Sequence, residues 1–183
     1  MSSVPKLTVS TSTKPHYDGD HDEIEKEGSS FKIKPRGLNI VWGNNTRYWS
    51  IPEKIVNKPA ELKQVCWLEV TASIPLARLE PGRKYNVSFD VCLKPDAFGW
   101  NEIPIYIMAK IGKKGKYKWK PYILGIAKIP PDKIHLTLDE PLEVTSAQKD
   151  SNDNLYFGLY EVWSKRWKGG LLIEEARVEP AST

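Results

Sequence analysis

Long apolar runs are missing from this chain of 183 residues, and their absence argues against a helical membrane protein. No stretch reaches the roughly 20 apolar residues that a membrane-spanning helix needs. The first residues, MSSVPKLTVSTSTKPHYDGDHDE, also lack the hydrophobic segment of a secretory signal peptide. We therefore expect no membrane span and a location in the cytosol, or in the cytosol and nucleus.

Cysteine and histidine are scarce, with two Cys and three His in the whole chain. Two cysteines are too few for a disulfide framework, and we expect Cys66 to face inward and Cys92 outward, which disfavours a bond between them. No spacing resembles a zinc site, and no glycine-rich loop resembles a phosphate cradle. The sequence therefore predicts no catalytic residues, no metal, no cofactor and no enzymatic activity.

Strong charge and long helices are also absent. The formal net charge of +4 is weaker than a dedicated nucleic-acid-binding protein usually carries. Fourteen Pro and twelve Gly argue against long helices. Residues 1–34 contain few large apolar side chains, too few to offset the entropy of ordering. We expect a flexible N-terminal tail over residues 1–34 and one folded domain over residues 35–183.

Alternation of apolar and polar residues dominates the domain and predicts half-buried strands. VCWLEVTASI and KYNVSFDVCL both alternate, and GKKG predicts a hairpin between IPIYIMAKI and KYKWKPYILGI. Further strands are expected in KIHLTL, LYFGLYEVW and GLLIEEARVE, whereas PAELKQ, at residues 59–64, predicts a short helical turn. Many short strands separated by Pro and Gly turns indicate an all-β sandwich.

The segment WGNNTRYW, residues 42–49, crowds three rings around turn-forming residues. Trp42 and Trp49 could be core rings at a hairpin, since most tryptophans are largely buried. They could instead form a sugar platform, because the apolar C–H faces of a pyranose stack on an indole while its hydroxyls bond to polar neighbours. Both interpretations can hold together, with one ring in the core and another at the rim.

Two other segments combine rings with charges. In YEVWSKRWKGG, a strand that extended through Val162 would place Glu161 and Trp163 on one face, and a carboxylate is a strong acceptor for sugar hydroxyls. Lys165 and Arg166 are expected to be ion-paired at the exposed end of the strand. KIGKKGKYKWK contains six lysines and no acid, and its rings Tyr117 and Trp119 alternate with lysines. This is typical of a solvated hairpin edge but also compatible with nuclear import or phosphate binding.

Four blocks of the sequence, GLNIVWGNNTRYWSIPE, AELKQVCWLEV, LEPGRKYNVSFDV and WKGGLLIEEARVEP, resemble the phloem lectins of plants in order and separation. This is the phloem protein two family, which includes the jasmonate-induced tobacco leaf agglutinin, and the resemblance covers about residues 36–180. It implies a jelly-roll-like β-sandwich similar to carbohydrate-binding modules. It also implies recognition of N-acetylglucosamine oligomers (chitooligosaccharides) or N-glycan cores in phloem or in defence and stress responses.

The resemblance also implies a site and a setting. The family's two binding tryptophans, seven positions apart, match Trp42 and Trp49, whereas Trp163 is not typical of its position. We expect a carbohydrate site that contains Trp42, Asn44, Tyr48, Trp49, Glu161, Trp163 and Trp167. The family is nucleocytoplasmic or found in phloem sap and is often dimeric, so a homodimer is expected. The alternative function is an RNA- or protein-binding phloem transport module that uses the lysine-rich hairpin.

Overall fold

The computed structural model of the chain describes residues 14–126 and 133–182, which fold into two stacked antiparallel β-sheets. In chain order the strands of these ranges are β1 (Ile24–Glu27), β2 (Ser30–Ile33), β3 (Asn39–Ile40), β4 (Trp49–Ser50), β5 (Ala60–Leu62), β6 (Leu68–Pro75), β7 (Lys84–Phe98), β8 (Ile105–Ile111), β9 (Lys118–Tyr122), β10 (Ile134–Thr137), β11 (Leu142–Glu143), β12 (Asn154–Glu161) and β13 (Gly169–Pro180). Short 3-10 turns lie at His21–Glu23, Pro35–Gly37, Leu76–Arg78 and Leu124–Ile126. A four-residue helix, α1 (Ser146–Lys149), begins with a capping box between Thr145 and Gln148.

The larger sheet is built around β13. One edge of β13 pairs with β7 along its whole length, and β10 and β11 pair with the far side of β7. The other edge pairs first with β5 and then with β2, which carry β4 and β1 at the margins of the sheet. A register shift between Ile173 and Glu175 moves the inward phase of β13 from Ile173 to Ala176.

The smaller sheet has the order β3-β6-β12-β8-β9. Its inner face is apolar because the strands alternate as the sequence predicts, with Leu68, Val70, Ala72 and Ile74 of β6 buried. The core lies between the two sheets, where the rings of Phe89 (β7) and Phe157 (β12) pack 5.5 Å apart. The predicted jelly-roll-like β-sandwich is confirmed, as are the hairpin of β8 and β9 and the strands of the C-terminal half.

The predicted flexible tail is wrong for the part of residues 1–34 that the structure describes. Strands β1 and β2 form a hairpin, and β2 adds to the edge of β13. Phe31 and Ile33 are buried in the core. The segment folds despite its polar composition because two apolar side chains and a sheet edge suffice to fix a short hairpin. Residues 1–13 lie outside the described residues.

The predicted helical turn at residues 59–64 is also wrong. Ala60 and Leu62 are buried while Glu61 is only half-buried, which is the alternation of a strand. This three-residue strand, β5, is held between β13 and β4. Glu61 and Leu62 favour a helix by local propensity, but they form a strand here because pairing with two neighbouring strands outweighs weak local preferences.

Two smaller expectations concern cysteines and membranes. Cys66 and Cys92 are both free thiols in the structure. Cys92 is buried rather than solvent-facing, with its Sγ 3.8 Å from the Glu174 carboxylate. Within the described ranges no helix has the length and apolarity to cross a membrane.

Candidate functional site

Exposed aromatic side chains meet at one end of the sandwich. The loop from β3 to β4 brings Trp42 and Tyr48 there, the segment before β6 brings Trp67, and the loop from β12 to β13 brings Trp167. These elements converge because Leu68, which starts β6, pairs with Glu161, which ends β12. Together they enclose a cleft of about 230 Å³, which we call the aromatic cleft, lined by Trp42, Tyr48, Val65, Cys66, Trp67 and Trp167.

The rings of the aromatic cleft are arranged around Tyr48. Trp42 meets Tyr48 edge to face at 6.0 Å and 76°, and the ring of Trp167 lies 6.3 Å from that of Tyr48 at an angle of 39°. The Arg47 guanidinium lies 5.8 Å from the centre of the Tyr48 ring. Trp42, Trp67 and Trp167 remain 39%, 43% and 51% exposed. The cleft therefore presents aromatic surface to the solvent and has an arginine at its rim.

Trp42 is held in an unusual backbone conformation. Its φ is +63°, in the left-handed region that bulky residues rarely adopt, so the conformation is strained. The backbone N–H of Trp42 donates to His16 Nδ1 at 3.0 Å, and the two rings pack 5.4 Å apart. Gly43 follows because a Cβ there would lie 2.7 Å from Tyr17 Cβ and 2.8 Å from the Ile40 carbonyl oxygen. The turn thus projects the Trp42 indole out of the fold.

Asn44 serves the turn rather than the cleft. Its Nδ2 donates to the carbonyl oxygens of Lys14 and His16 at 3.0 and 2.8 Å, which fixes the segment before β1 against the turn. Asn44 is exposed but does not line the aromatic cleft. The structure therefore gives the predicted sugar ligand a role in folding, since both of its N–H donors already have partners.

Trp49 is a core residue, and its prediction as a stacking platform is wrong. It starts β4, pairs with Leu62 of β5 and is 1% exposed. A ring without an exposed face cannot stack on a sugar. Within the motif of residues 42–49 the two tryptophans therefore have different tasks, because the chain passes from a surface turn into a buried strand between them.

Glu161 is also unavailable to a ligand. Its carboxylate is buried between the sheets and forms an ion pair with Lys168, with Oε2 3.1 Å from Nζ. The prediction of a hydroxyl acceptor on the same face as Trp163 is wrong because β12 ends at Glu161 and does not extend through Val162. Two buried charges are tolerated only when they are paired and hydrogen-bonded.

Lys168 supports the aromatic cleft from below. Besides Glu161, its ammonium donates to the carbonyl oxygens of Arg166 at 3.0 Å and Cys66 at 3.5 Å. These two carbonyls directly precede Trp167 and Trp67 in the chain. A reciprocal pair of backbone hydrogen bonds, both 2.9 Å, joins Lys168 to Val65. The buried ammonium therefore fixes the backbone from which two rings of the cleft project.

The loop of residues 162–168 is closed at its base by the Glu161–Lys168 pair. Lys165 has a φ of +59°, which reverses the chain inside the loop. Trp167 turns towards Tyr48, whereas Trp163 turns towards Tyr106, with ring centres 5.0 Å apart. Trp163, a predicted sugar ligand, therefore does not line the aromatic cleft.

Trp67 and Cys66 are members of the cleft that the sequence did not assign to it. The sequence does place Trp67 among outward-facing residues, opposite Leu68, and a large ring on a predicted outer face is an available signal. Cys66 was predicted to face inward in a strand, but it lies before β6 and is half-buried in the cleft wall. The sequence pattern does not show how close in space the cleft segments lie, because they are 25 to 100 positions apart in the chain.

The lysine-rich hairpin has fewer free charges than its sequence indicates. Lys120 pairs with Asp139 at 2.6 Å, and Lys118 with Glu140 at 3.4 Å. The Lys110 ammonium donates to the Lys113 carbonyl oxygen at 2.9 Å. The positive charge that remains unpaired by an acid is therefore concentrated in the turn.

In the described ranges, no group of three or more His, Cys, Asp or Glu side chains could hold a metal ion.

Comparison with known proteins agrees with the family resemblance of the four sequence blocks at residues 37–53, 60–70, 79–91 and 167–180. Residues 28–180 match the family model of Phloem protein 2. The chain is 40% identical over 181 residues to the protein PHLOEM PROTEIN 2-LIKE A9 of Arabidopsis thaliana, a match that covers 93% of this chain and 99% of that one. A protein from Luffa acutangula named Lectin is 34% identical over 89 residues, covering 46% of this chain and 42% of its own.

Similarity to solved structures is weaker. The CBM22-1 xylan-binding domain of Xyn10C from Paenibacillus barcinonensis has a TM-score of 0.44 and 8% sequence identity, with 91% of each chain covered. A similarity of this size carries no argument about function. The family model, in contrast, spans most of the chain, and the chain therefore belongs to the phloem protein 2 family.

Proposed function

We propose that this protein is a non-enzymatic lectin whose aromatic cleft binds carbohydrate. The observation that carries the proposal is the exposure of three indoles, those of Trp42, Trp67 and Trp167, which line one cleft together with Tyr48. Contiguous aromatic surface that a protein leaves in water commonly marks a binding site. Indole faces suit the apolar C–H faces of pyranose rings, and the Arg47 guanidinium at the rim can donate to hydroxyl or carbonyl oxygens.

The proposed ligands are chitooligosaccharides, the oligomers of N-acetylglucosamine, or the N-glycan cores of glycoproteins. Membership of the phloem protein 2 family and the lectin from Luffa acutangula support a sugar ligand. The cleft itself supports a short one, since its volume of about 230 Å³ is below the roughly 300–1,000 Å³ of most ligand pockets. The methyl group of an acetamido substituent would add apolar contact with Val65 and Cys66.

The site is shallow, so we expect a dissociation constant in the millimolar to micromolar range, about −4 to −8 kcal/mol. A homodimer would raise the apparent affinity for multivalent glycans without a new contact. The proposal also includes a setting in the cytosol and nucleus or in phloem sap, where the protein would act in transport or in defence and stress responses. The family name supports the phloem setting.

Isothermal titration with chitotriose tests the proposal on the full chain. Trp167→Ala should weaken binding at least tenfold and leave the melting temperature within about 2 °C, because the ring is half exposed. Phe98→Ala is the matched control, since Phe98 is 45% exposed and lies outside the cleft lining. Equal affinity of the wild type and both variants would refute the role of the cleft.

Ligand identity and the nucleic-acid alternative need separate measurements. A glycan array distinguishes chitooligosaccharides from N-glycan cores. Binding to RNA through the lysine-rich hairpin would weaken steeply as salt rises, whereas sugar stacking would not. The ion pairs of Lys118 and Lys120 reduce the charge that the hairpin offers to RNA.

A further inference from the structure

The outer face of the five-stranded sheet carries a second group of exposed rings. Trp119 and Trp163 are 60% and 58% exposed, and each packs edge to face on Tyr106, at 5.8 and 5.0 Å. Together with Met108 these side chains line a cleft of about 380 Å³, which we call the sheet-face cleft. None of its four lining side chains belongs to the aromatic cleft.

Strand register places the lining on one face. Met108 of β8 pairs with Trp119 of β9, and Tyr106 pairs with Tyr160 of β12. Directly paired residues project to the same side of an antiparallel sheet. Three strands and the loop after β12 therefore contribute to a continuous surface that faces away from the core.

This surface continues across the sheet into a second recess of about 340 Å³. The recess mixes rings with groups that form hydrogen bonds, namely Asn39, Thr71, Ser73, Lys110, Tyr117, Tyr156 and Tyr160. Gly158, which pairs with Met108, lies between the two recesses. A Cβ there would lie 2.5 Å from the Val70 carbonyl oxygen and 3.0 Å from the Thr71 and Tyr160 side chains, so this crowded position requires glycine.

The dimensions of the face suit an extended chain. From β9 to β3 there are four steps between neighbouring strands, which at about 4.8 Å each gives roughly 19 Å. That length accommodates several linked pyranose units. Burial and the neighbouring Tyr117 raise the pKa of the Tyr160 hydroxyl well above its usual range, so this group on the face stays uncharged.

We propose that this outer face is a second carbohydrate-binding surface, which takes a linear oligosaccharide laid across the strands from Trp119 and Trp163 towards Asn39. The two tryptophans and Tyr106 provide the stacking surface at one end. Tyrosine hydroxyls lie along the rest. Asn39 Nδ2 donates one N–H to Thr71 Oγ1 at 3.5 Å and Asn39 Oδ1 accepts from the Gly19 N–H, so the second Asn39 N–H and the Thr71 O–H are the donors left for a sugar. The inference adds to the proposed lectin function but depends on other residues, and it makes a single chain bivalent.

Charge favours a glycan over the other occupants of such a surface. The side chains that line the sheet-face cleft are uncharged, and Lys118 and Lys120 of β9 pair with acids. Single-stranded RNA would need cations along its whole path as well as rings, whereas the cations that line this path among the described residues are Lys110 and Lys113, both in the recess. A second copy of this chain would have to bury the charged Lys110 of the recess, at a desolvation cost. A hydrated oligosaccharide would leave the Lys110 ammonium in contact with water.

Indole N–H signals in a two-dimensional NMR titration test the proposal, because the seven tryptophans act as separate reporters. We expect chitohexaose or cellohexaose to shift the signals of Trp119 and Trp163 in the full chain. The same shifts should persist in Trp167→Ala, in which the aromatic cleft is impaired, so the two sites can fail separately. Trp119→Ala and Trp163→Ala should each weaken binding at this face at least tenfold with an unchanged melting temperature, whereas Phe98→Ala should not.

Three results would overturn the second site. The first is that neither hexasaccharide shifts the two signals while chitotriose still shifts that of Trp167. The second is that the two signals respond only to a single-stranded RNA such as polyuridylate, and that this response disappears in added salt. The third is that light scattering finds a dimer that Trp119→Ala converts into a monomer, which would identify the outer face as an interface between copies of the chain.

Discussion

Replacing Trp49 by Ala separates the two tryptophans of the WGNNTRYW segment by their physical roles. Trp49 is 1% exposed in β4, so its loss should lower the free energy of unfolding and leave sugar contacts in place. Trp42 is 39% exposed at the cleft, so Trp42→Ala should weaken chitotriose binding and change stability little. Thermal unfolding and calorimetric titration on the same two purified variants measure both quantities.

The magnitude for Trp49 follows from its burial. Truncating a buried Trp to Ala costs about 3–5 kcal/mol, from lost transfer free energy and from the cavity that remains. For a chain of this length 1 kcal/mol moves the melting temperature by about 2–4 °C. We therefore expect a decrease of about 6–20 °C. Since a domain is stable by only about 5–15 kcal/mol, binding must be measured well below the new midpoint.

Trp49→Phe is the matched control. It keeps an aromatic ring in the core and removes the Trp49 indole N–H, which has no hydrogen-bond partner among the described residues, so its loss of stability should be clearly smaller. A melting temperature of Trp49→Ala within about 2 °C of the wild type, together with lost chitotriose binding, would refute the assignment of Trp49 to the core.

Three further predictions concern the fold. Lys168→Met should lower the free energy of unfolding in urea by about 3–5 kcal/mol, because it leaves the Glu161 carboxylate buried without its partner. Adding Glu161→Leu should restore most of that loss, and an unaffected single variant would contradict the pairing. A truncated chain that starts at Lys34 should fail to give the cooperative thermal transition of one that starts at Lys14, because it lacks β1 and β2; equal transitions would show that the hairpin adds nothing to the fold. After alkylation without reductant, mass spectrometry should find two modified thiols. Cys92 should react more slowly than Cys66, since burial raises the pKa of its thiol. An intact disulfide between them would contradict the structure.

Period-two patterns predicted the sheets well because strand alternation is a local property. Leu68 to Ile74 and Tyr85 to Val91 face the core in the expected phase. The failures are short segments whose partners are distant in sequence. Phe31 and Ile33 look isolated in a polar segment until β13 pairs with them, and the brief pattern around Leu62 becomes a strand only between two neighbours.

The candidate site was predicted in part, for a similar reason. Trp42, Tyr48 and Trp167 could be nominated from their local surroundings, and the structure brings them together. The spacing of Trp42 and Trp49 cannot say which ring is exposed, because that depends on where a turn ends and a paired strand begins. Burial of Glu161 was equally invisible, since its partner is seven residues away across a loop.

The loop between Glu161 and Lys168 connects the two aromatic surfaces physically. Its first tryptophan, Trp163, packs on Tyr106 in the sheet-face cleft, and its second, Trp167, lies beside Tyr48 in the aromatic cleft. Both ends of the loop are held by one buried ion pair. Removing a single ring should therefore affect one surface, whereas loosening the pair should disturb both. Each ring keeps about half of its surface in water, and for Trp167 the hydrogen bond from the Lys168 ammonium to the Arg166 carbonyl oxygen fixes the backbone directly before the ring.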